Sequence, residues 1–151
     1  MIALIQRVTR ASVTVEDKII GEIKDGLLIF LGISATDNSK TIEWLSRKIA
    51  GLRIFSDQDD KMNFSVKDVD ADILLVSQFT LYANVKKGNR PSFTDSASPS
   101  LAIPLYEQMI KALEEKLDKP IQTGEFGADM KIDLLNDGPV TICIDTHKYG
   151  L

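Results

Sequence analysis

At 151 residues, with 44% apolar and 26% charged side chains, the chain suits one soluble domain over 1–151 that buries a real core without staples. Its net charge of −4 excludes attraction of the whole molecule to nucleic acid, leaving a local basic patch as the only grip on a phosphate backbone. A single cysteine, Cys143, excludes an internal disulfide and a cysteine metal set. No apolar run approaches the about 18 residues of a membrane helix, and MIALIQRVTR is too short in its apolar run for a signal peptide. A cytoplasmic protein with no metal, no cofactor and no membrane contact is the expectation.

Ile2, Leu4 and Val8, then Ser12, Val13 and Val15, mark extended segments with a break near Thr9-Arg10-Ala11. Glu16–Lys18 is a hairpin turn before IIGEI, and Asp25-Gly26 a second turn before LLIFLGI (Leu27–Ile33). That run is continuously apolar, which predicts a central strand buried on both faces. A helix follows, capped by Asp37 or Asn38, with Ile42, Leu45 and Ile49 on its inner face and Gly51 as its stop. LRIF reads as a short strand and Ser56–Asn63 as a polar loop. DILLVSQFTLYA is the next strand, and Asn84–Ser100 is a loop long enough to suggest a functional role. A second helix runs from about Ser100 to Leu117, with Pro104 near its first turn. Its inner stripe is Leu101, Leu105, Met109, Ala112, Leu113 and Leu117. Beyond PIQTGEFG, Met130, Ile132 and Leu134 form one alternating strand and Val140, Ile142 and Ile144 another, with NDGP as the turn between them. Strands at both ends and two interrupting helices make the class α+β.

The stretch that most invites chemistry is Ser77-Gln78-Phe79-Thr80, where an apolar run delivers hydroxyls and an amide to a strand end. Such hydroxyls can simply satisfy backbone groups. Alternatively, strand-end N–H groups and hydroxyls converge on a substrate carbonyl and stabilise an oxyanion without any titrating side chain. A serine triad would need His147, the only histidine, to reach Ser77 or Thr80 from the chain end. Gly138-Pro139 reads as turn punctuation, and only about 5–6% of X–Pro bonds in folded proteins are cis. Lys86, Lys87 and Arg90 are either a solvated loop or a phosphate grip. Cys143 alternates with apolar residues and reads as a buried or half-buried small residue rather than a nucleophile. Asp57-Gln58-Asp59-Asp60 lacks the glycine and glutamate of a calcium loop.

SQFTLYA and NDGPVT together, with the opening MIALIQRVTRASVTV, closely resemble the D-aminoacyl-tRNA deacylases. The resemblance runs the whole length, through GLLIFLGI, KIAGLRIF and KGNRPSF. It implies a mostly antiparallel curved sheet, a partial β-barrel, with two main helices packed on it. It implies hydrolysis of the ester that joins a D-amino acid, or glycine, to the 3′-terminal adenosine of tRNA. It further implies a homodimer with active sites at the subunit interface. There a cis Gly138-Pro139 would reach into the partner's site and leave no room for an L side chain. Arg7 would help hold that dipeptide, Ser77, Gln78, Phe79 and Thr80 would form the catalytic motif, and Met130 would line the pocket. Lys86, Lys87 and Arg90 become the grip on the tRNA end. The rival readings are an RNA-binding module built on those cations, and a hydrolase of small acyl esters acting through Ser77 or Cys143.

Overall fold

A computed structural model describes residues 1–151. Strand β1 (Ile2–Val15) is the spine of the sheet. One of its edges carries two antiparallel partners in succession. Ile2–Val8 pairs with β3 (Gly26–Gly32), and Ala11–Val15 pairs with β2 (Lys18–Ile23). Its other edge carries β8 (Lys131–Asp145) along almost its full length. β3 then pairs in parallel with β6 (Asp72–Ser77), and β6 with the short β7 (Gln122–Thr123). Parallel neighbours need a long crossover, which helix α1 (Ser39–Ala50) and the hairpin β4 (Phe55–Ser56) with β5 (Met62–Phe64) supply. The sheet curls until β2 lies beside β7: a Cβ on Gly21 would stand 2.8 Å from Thr123 O. The result is α+β, a mixed sheet nearly closed as a barrel, with α1 and α2 (Pro99–Leu117) packed on it.

Two apolar clusters explain the curl. The larger joins Leu27, Ile29 and Leu31 of β3 to Ile42, Leu45 and Ile49 of α1 and to Leu105, Met109 and Leu113 of α2. The smaller, Val8, Ala11, Val13, Ile23, Leu28, Leu74 and Val76, fills the inside of the curl. β3 contributes to both, so its continuous apolar run is buried on both faces. Asn38 rather than Asp37 caps α1: its side chain accepts from Lys40 N at 2.9 Å. Asp37 instead accepts from the Met1 ammonium and from Ser34 N. Gly51 ends the helix as its spacing predicts. No helix is long and apolar enough to cross a membrane.

Several expectations change. There is no break at Thr9–Ala11; β1 is continuous, and the irregularity is a pair of register shifts against β8. NDGP does not separate two strands. β8 runs through it, because both of its halves pair with the same β1: Asn136 faces Val8 and Thr141 faces Gln6, so Asp137–Val140 stand opposite Arg7 alone. β6 ends at Ser77, and Phe79–Tyr82 forms a 3₁₀ turn rather than more strand. Pro104 sits inside α2, one turn deeper than expected, and Leu101 faces solvent while Ala102 and Tyr106 are buried. Ser56–Asn63 includes parts of the β4–β5 hairpin. Cys143 is exposed, since the face of β8 that carries it looks away from the core.

Candidate active site

β6 is buried from Ile73 to Val76 and surfaces at Ser77, because the sheet ends there and the chain turns across the end of β3. Gln78 N donates to Leu31 O at 2.8 Å and holds the start of the turn on β3. Gly32 lets the turn sit that close. A Cβ there would lie 3.1 Å from Leu81 Cβ and 3.2 Å from both Gln78 O and Tyr82 Cδ2. The first N–H groups of a helical turn, here those of Phe79 and Thr80, have no partner within it. Thr80 Oγ1 accepts from Gln78 Nε2 at 2.6 Å, which orients the hydroxyl and leaves its proton free to be donated.

Below this turn lies a cleft of about 480 Å³. Ser77, Gln78 and Phe79 form one wall and Met130 and Ile132 another. Phe126 and the start of α2, at Pro99 and Ala102, complete it. Met130, 52 residues from Gln78 in sequence, is brought beside it because β7 lays the following segment along β6. Tyr106 supports the cleft from the core side. Its hydroxyl donates to Leu75 O at 2.7 Å, its ring packs on Phe126, and burial pushes its phenol well above the usual range, so it stays a neutral donor.

Gly138 and Pro139 lie elsewhere. The bond between them is cis, both residues are exposed, and neither lines the cleft. Arg7 pairs with Leu27 and Ser77 with Leu31, so the bulge and the turn are four positions apart along β3, about 13 Å at the rise of a strand. The Arg7 side chain is 10% exposed. Its Nε donates to Asp137 O at 3.1 Å and lies 3.1 Å from Asp137 Oδ2, and its Nη1 donates to Ile54 O at 2.5 Å. Asn136 brackets the bulge from the other side: Nδ2 donates to Val140 O at 3.0 Å, and Oδ1 accepts from Val140 N at 2.9 Å. Gly138 has φ +142°, a conformation that L side chains rarely adopt.

Lys86, Lys87 and Arg90 are exposed on the excursion between Asn84 and Ser92, whose backbones bond to each other at 2.8 and 3.0 Å, and none of the three forms an ion pair. His147 makes no hydrogen bond to Ser77 or Thr80. Its Nε2 lies 3.3 Å from Tyr82 Oη and 3.4 Å from Ser34 Oγ. The structure therefore brings Ser77, Gln78, Phe79 and Met130 together and sets Arg7, Gly138 and Pro139 apart from them. Sequence reasoning missed Gly32, Asn136 and Phe126. Asn136 carried a readable signal, since asparagine readily bonds nearby backbone groups; the close approach at Gly32 carried none.

Residues 4–145 match the family model described as D-Tyr-tRNA(Tyr) deacylase. A D-aminoacyl-tRNA deacylase from Cytophaga hutchinsonii is 58% identical over 148 residues, 98% of this chain and 99% of its own length. One from Flavobacterium johnsoniae is 56% identical over the same shares. A solved structure described as a c-Myc DNA Unwinding Element Binding Protein superposes with a TM-score of 0.90 at 42% identity, over 96% of this chain and 98% of that one. A probable eukaryotic D-amino acid tRNA deacylase, 17% identical, shares the fold with a TM-score of 0.80 over 95% of this chain and 97% of its own.

Proposed function

The chain belongs to the D-aminoacyl-tRNA deacylase family, and from that premise we propose how it hydrolyses the ester of a D-aminoacyl-tRNA. The aminoacyl group and terminal ribose enter the cleft under the Phe79–Tyr82 turn. The free N–H groups of Phe79 and Thr80, with the Thr80 hydroxyl, donate to the oxygen that becomes negative as water attacks. An oxyanion donor of this kind is worth about 2.7–4 kcal/mol. An aminoacyl ester is already a reactive acyl group, and the vicinal ribose hydroxyl of the substrate helps organise the water. Positioning and electrostatics then carry the reaction with no general base. Thr80 acts as a donor and not as a nucleophile, because no titrating base bonds to it.

The observation that carries this reading is the placement of the two motifs. Ser77, Gln78 and Phe79 of one line the cleft, with Thr80 exposed beside it, and the other stands exposed on a bulge about 13 Å further along the strand direction. They meet if a second copy lends its bulge, so the working form is a homodimer and each site is completed by the partner. Gly138 and Pro139 would then present backbone atoms where an L side chain would project. Steric exclusion of one configuration rejects L-aminoacyl groups while tolerating many D side chains, and glycine as well. Met130 lines the side-chain pocket. Lys86, Lys87 and Arg90 hold phosphates of the tRNA end, and their contribution falls as salt rises.

Deacylation of matched D-, L- and glycyl-tRNA tests the chemistry. D and glycyl esters should be cleaved and the L ester spared; equal rates on D and L, or tRNA binding with no turnover, would refute the reading. Mixing tests the shared site. A Thr80→Val chain, slow alone, and a Gly138→Ala chain, impaired in D/L selection alone, should together recover fast and D-selective cleavage when refolded as a mixture, because one site of each mixed dimer is intact. No recovery places both motifs in the same chain's site.

A further inference from the structure

The turn that carries Phe79 and Thr80 is short and largely outside the core, and its N-cap Gln78 makes no side-chain capping bond. Its remaining backbone bonds include Leu81 N to Gln78 O at 3.4 Å and Ala83 N to Thr80 O at 3.0 Å. A turn of this kind holds its own geometry poorly. Two side chains from distant parts of the chain touch its two ends, and neither lines the cleft.

At the first end, Phe79 is 57% exposed, and its ring meets Phe93 edge-on, with centroids 5.1 Å apart and planes at 76°. Phe93 is itself fixed. The Asn84–Ser92 bridge closes the loop just before it, and its carbonyl accepts from Ser96 Oγ at 2.7 Å. At the last end, Tyr82 Oη lies 3.3 Å from His147 Nε2, with the rings 6.3 Å apart at 75°. That same nitrogen lies 3.4 Å from Ser34 Oγ, and Ser34 N donates to Asp37 Oδ2 at 2.7 Å. His147 is held in turn by Asp145, whose Oδ1 accepts from His147 N at 3.1 Å. Burial, with Asp37 nearby, pushes the Tyr82 phenol above its usual range, so it remains a neutral hydrogen-bonding partner.

We propose that Phe93 and His147 are positioning residues that clamp the two ends of the Phe79–Tyr82 turn and so fix the direction of its N–H groups and of the Thr80 hydroxyl. The inference rests on the reading of that turn as the oxyanion-stabilising part of the site. It gives the only histidine of the chain a use that involves no proton transfer. It also links the loop carrying Lys86, Lys87 and Arg90 to the reacting centre, since Phe93 ends the limb on which that loop returns.

The test is steady-state deacylation of D-aminoacyl-tRNA with a melting curve for every variant. His147→Ala, Tyr82→Phe and Phe93→Ala should each lower kcat by about three- to tenfold, the worth of one hydrogen bond or one aromatic pair. KM should stay within about twofold, because the contact acts on the transition state and not on uniform binding. The His147→Ala, Tyr82→Phe double variant should be no slower than either single one. His147→Gln, whose amide can still bond the phenol, and Phe93→Tyr, which keeps the ring, should restore kcat. Unchanged kcat in the alanine variants overturns the proposal. So do losses that multiply in the double variant, failure of the conservative replacements to restore rate, or losses that merely follow the folded fraction seen by circular dichroism. Thr80→Val in the same assay separates the two levels. If it is slow while Phe93→Ala and His147→Ala are fully active, only the clamp falls; if it is fully active, the reading of the turn falls first.

Discussion

In the proposed mechanism Thr80 is the residue on which the chemistry turns most directly. Its hydroxyl accepts from Gln78 and has one proton left to give. Thr80→Val removes that donor and keeps the shape. The expected loss is about 10- to 100-fold in single-turnover deacylation, the range for a hydrogen bond to a developing charge, with Thr80→Ser close to wild type. A serine variant as slow as valine would mean that the methyl group, not the donor, is what the site uses. Arg7 makes the second residue-level prediction. Its fork reaches the backbone of both Asp137 and Ile54, which a lysine cannot match. Arg7→Lys should cost about 1–3 kcal/mol of stability by leaving a buried carbonyl unpaired. It should also raise cleavage of L-aminoacyl-tRNA relative to D; an unchanged D/L ratio would separate Arg7 from selectivity. Arg7 and Thr80 were singled out in the sequence only through motifs, because nothing in their spacing says that one bonds a bulge and the other lies within a turn.

At the scale of elements, the bulge in β8 and the turn after β6 are each built by neighbours with no chemistry of their own. Asn136 satisfies both backbone groups of Val140 and so closes the base of the bulge. Asn136→Ala should cost about 1–3 kcal/mol in chemical denaturation and loosen the dipeptide beyond it. Gly32→Ala would force the turn outward by a few tenths of an ångström, since each of its nearest neighbours stands at 3.1 to 3.2 Å. We expect kcat to fall while the melting temperature moves little; wild-type kcat would show that the turn tolerates displacement. The segment leading from β5 offers a pH test. Asp68 accepts from the hydroxyl and backbone N of Ser65, which holds its carboxyl below the ordinary value of 3.8. A depressed carboxyl contributes its stability above the unfolded-state value and loses it as pH falls through the folded-state value. Asp68→Asn should therefore lower the melting temperature at neutral pH and converge with wild type as the pH falls below 3.8 and through the lower folded-state value. The helices themselves were readable, because the Asn38 cap, the apolar spacing and Gly51 are local signals. The NDGP turn was misread because turn chemistry is the same whether the chain reverses or only bulges, and the long pairing with β1 decides between them.

For the whole molecule, the proposed sharing of each site between two copies would make activity depend on assembly. Sedimentation should show a species of twice the chain mass, and specific activity should drop on dilution through the dissociation range; a fully active monomer would end the two-copy arrangement. Composition, the apolar run of β3 and the helix signals determined by themselves that this chain folds as α+β around a doubly buried strand, because burial pattern and caps are written in neighbouring residues. The paired motifs SQFT and NDGP determined the family. Only the tertiary structure decided that both halves of β8 share one partner strand, that Met130 and Phe126 complete the cleft, and that Gly138-Pro139 stands away from it. Those are matters of strand register and sheet curl, set by long-range pairing and by packing inside the barrel, which no local stretch of sequence encodes.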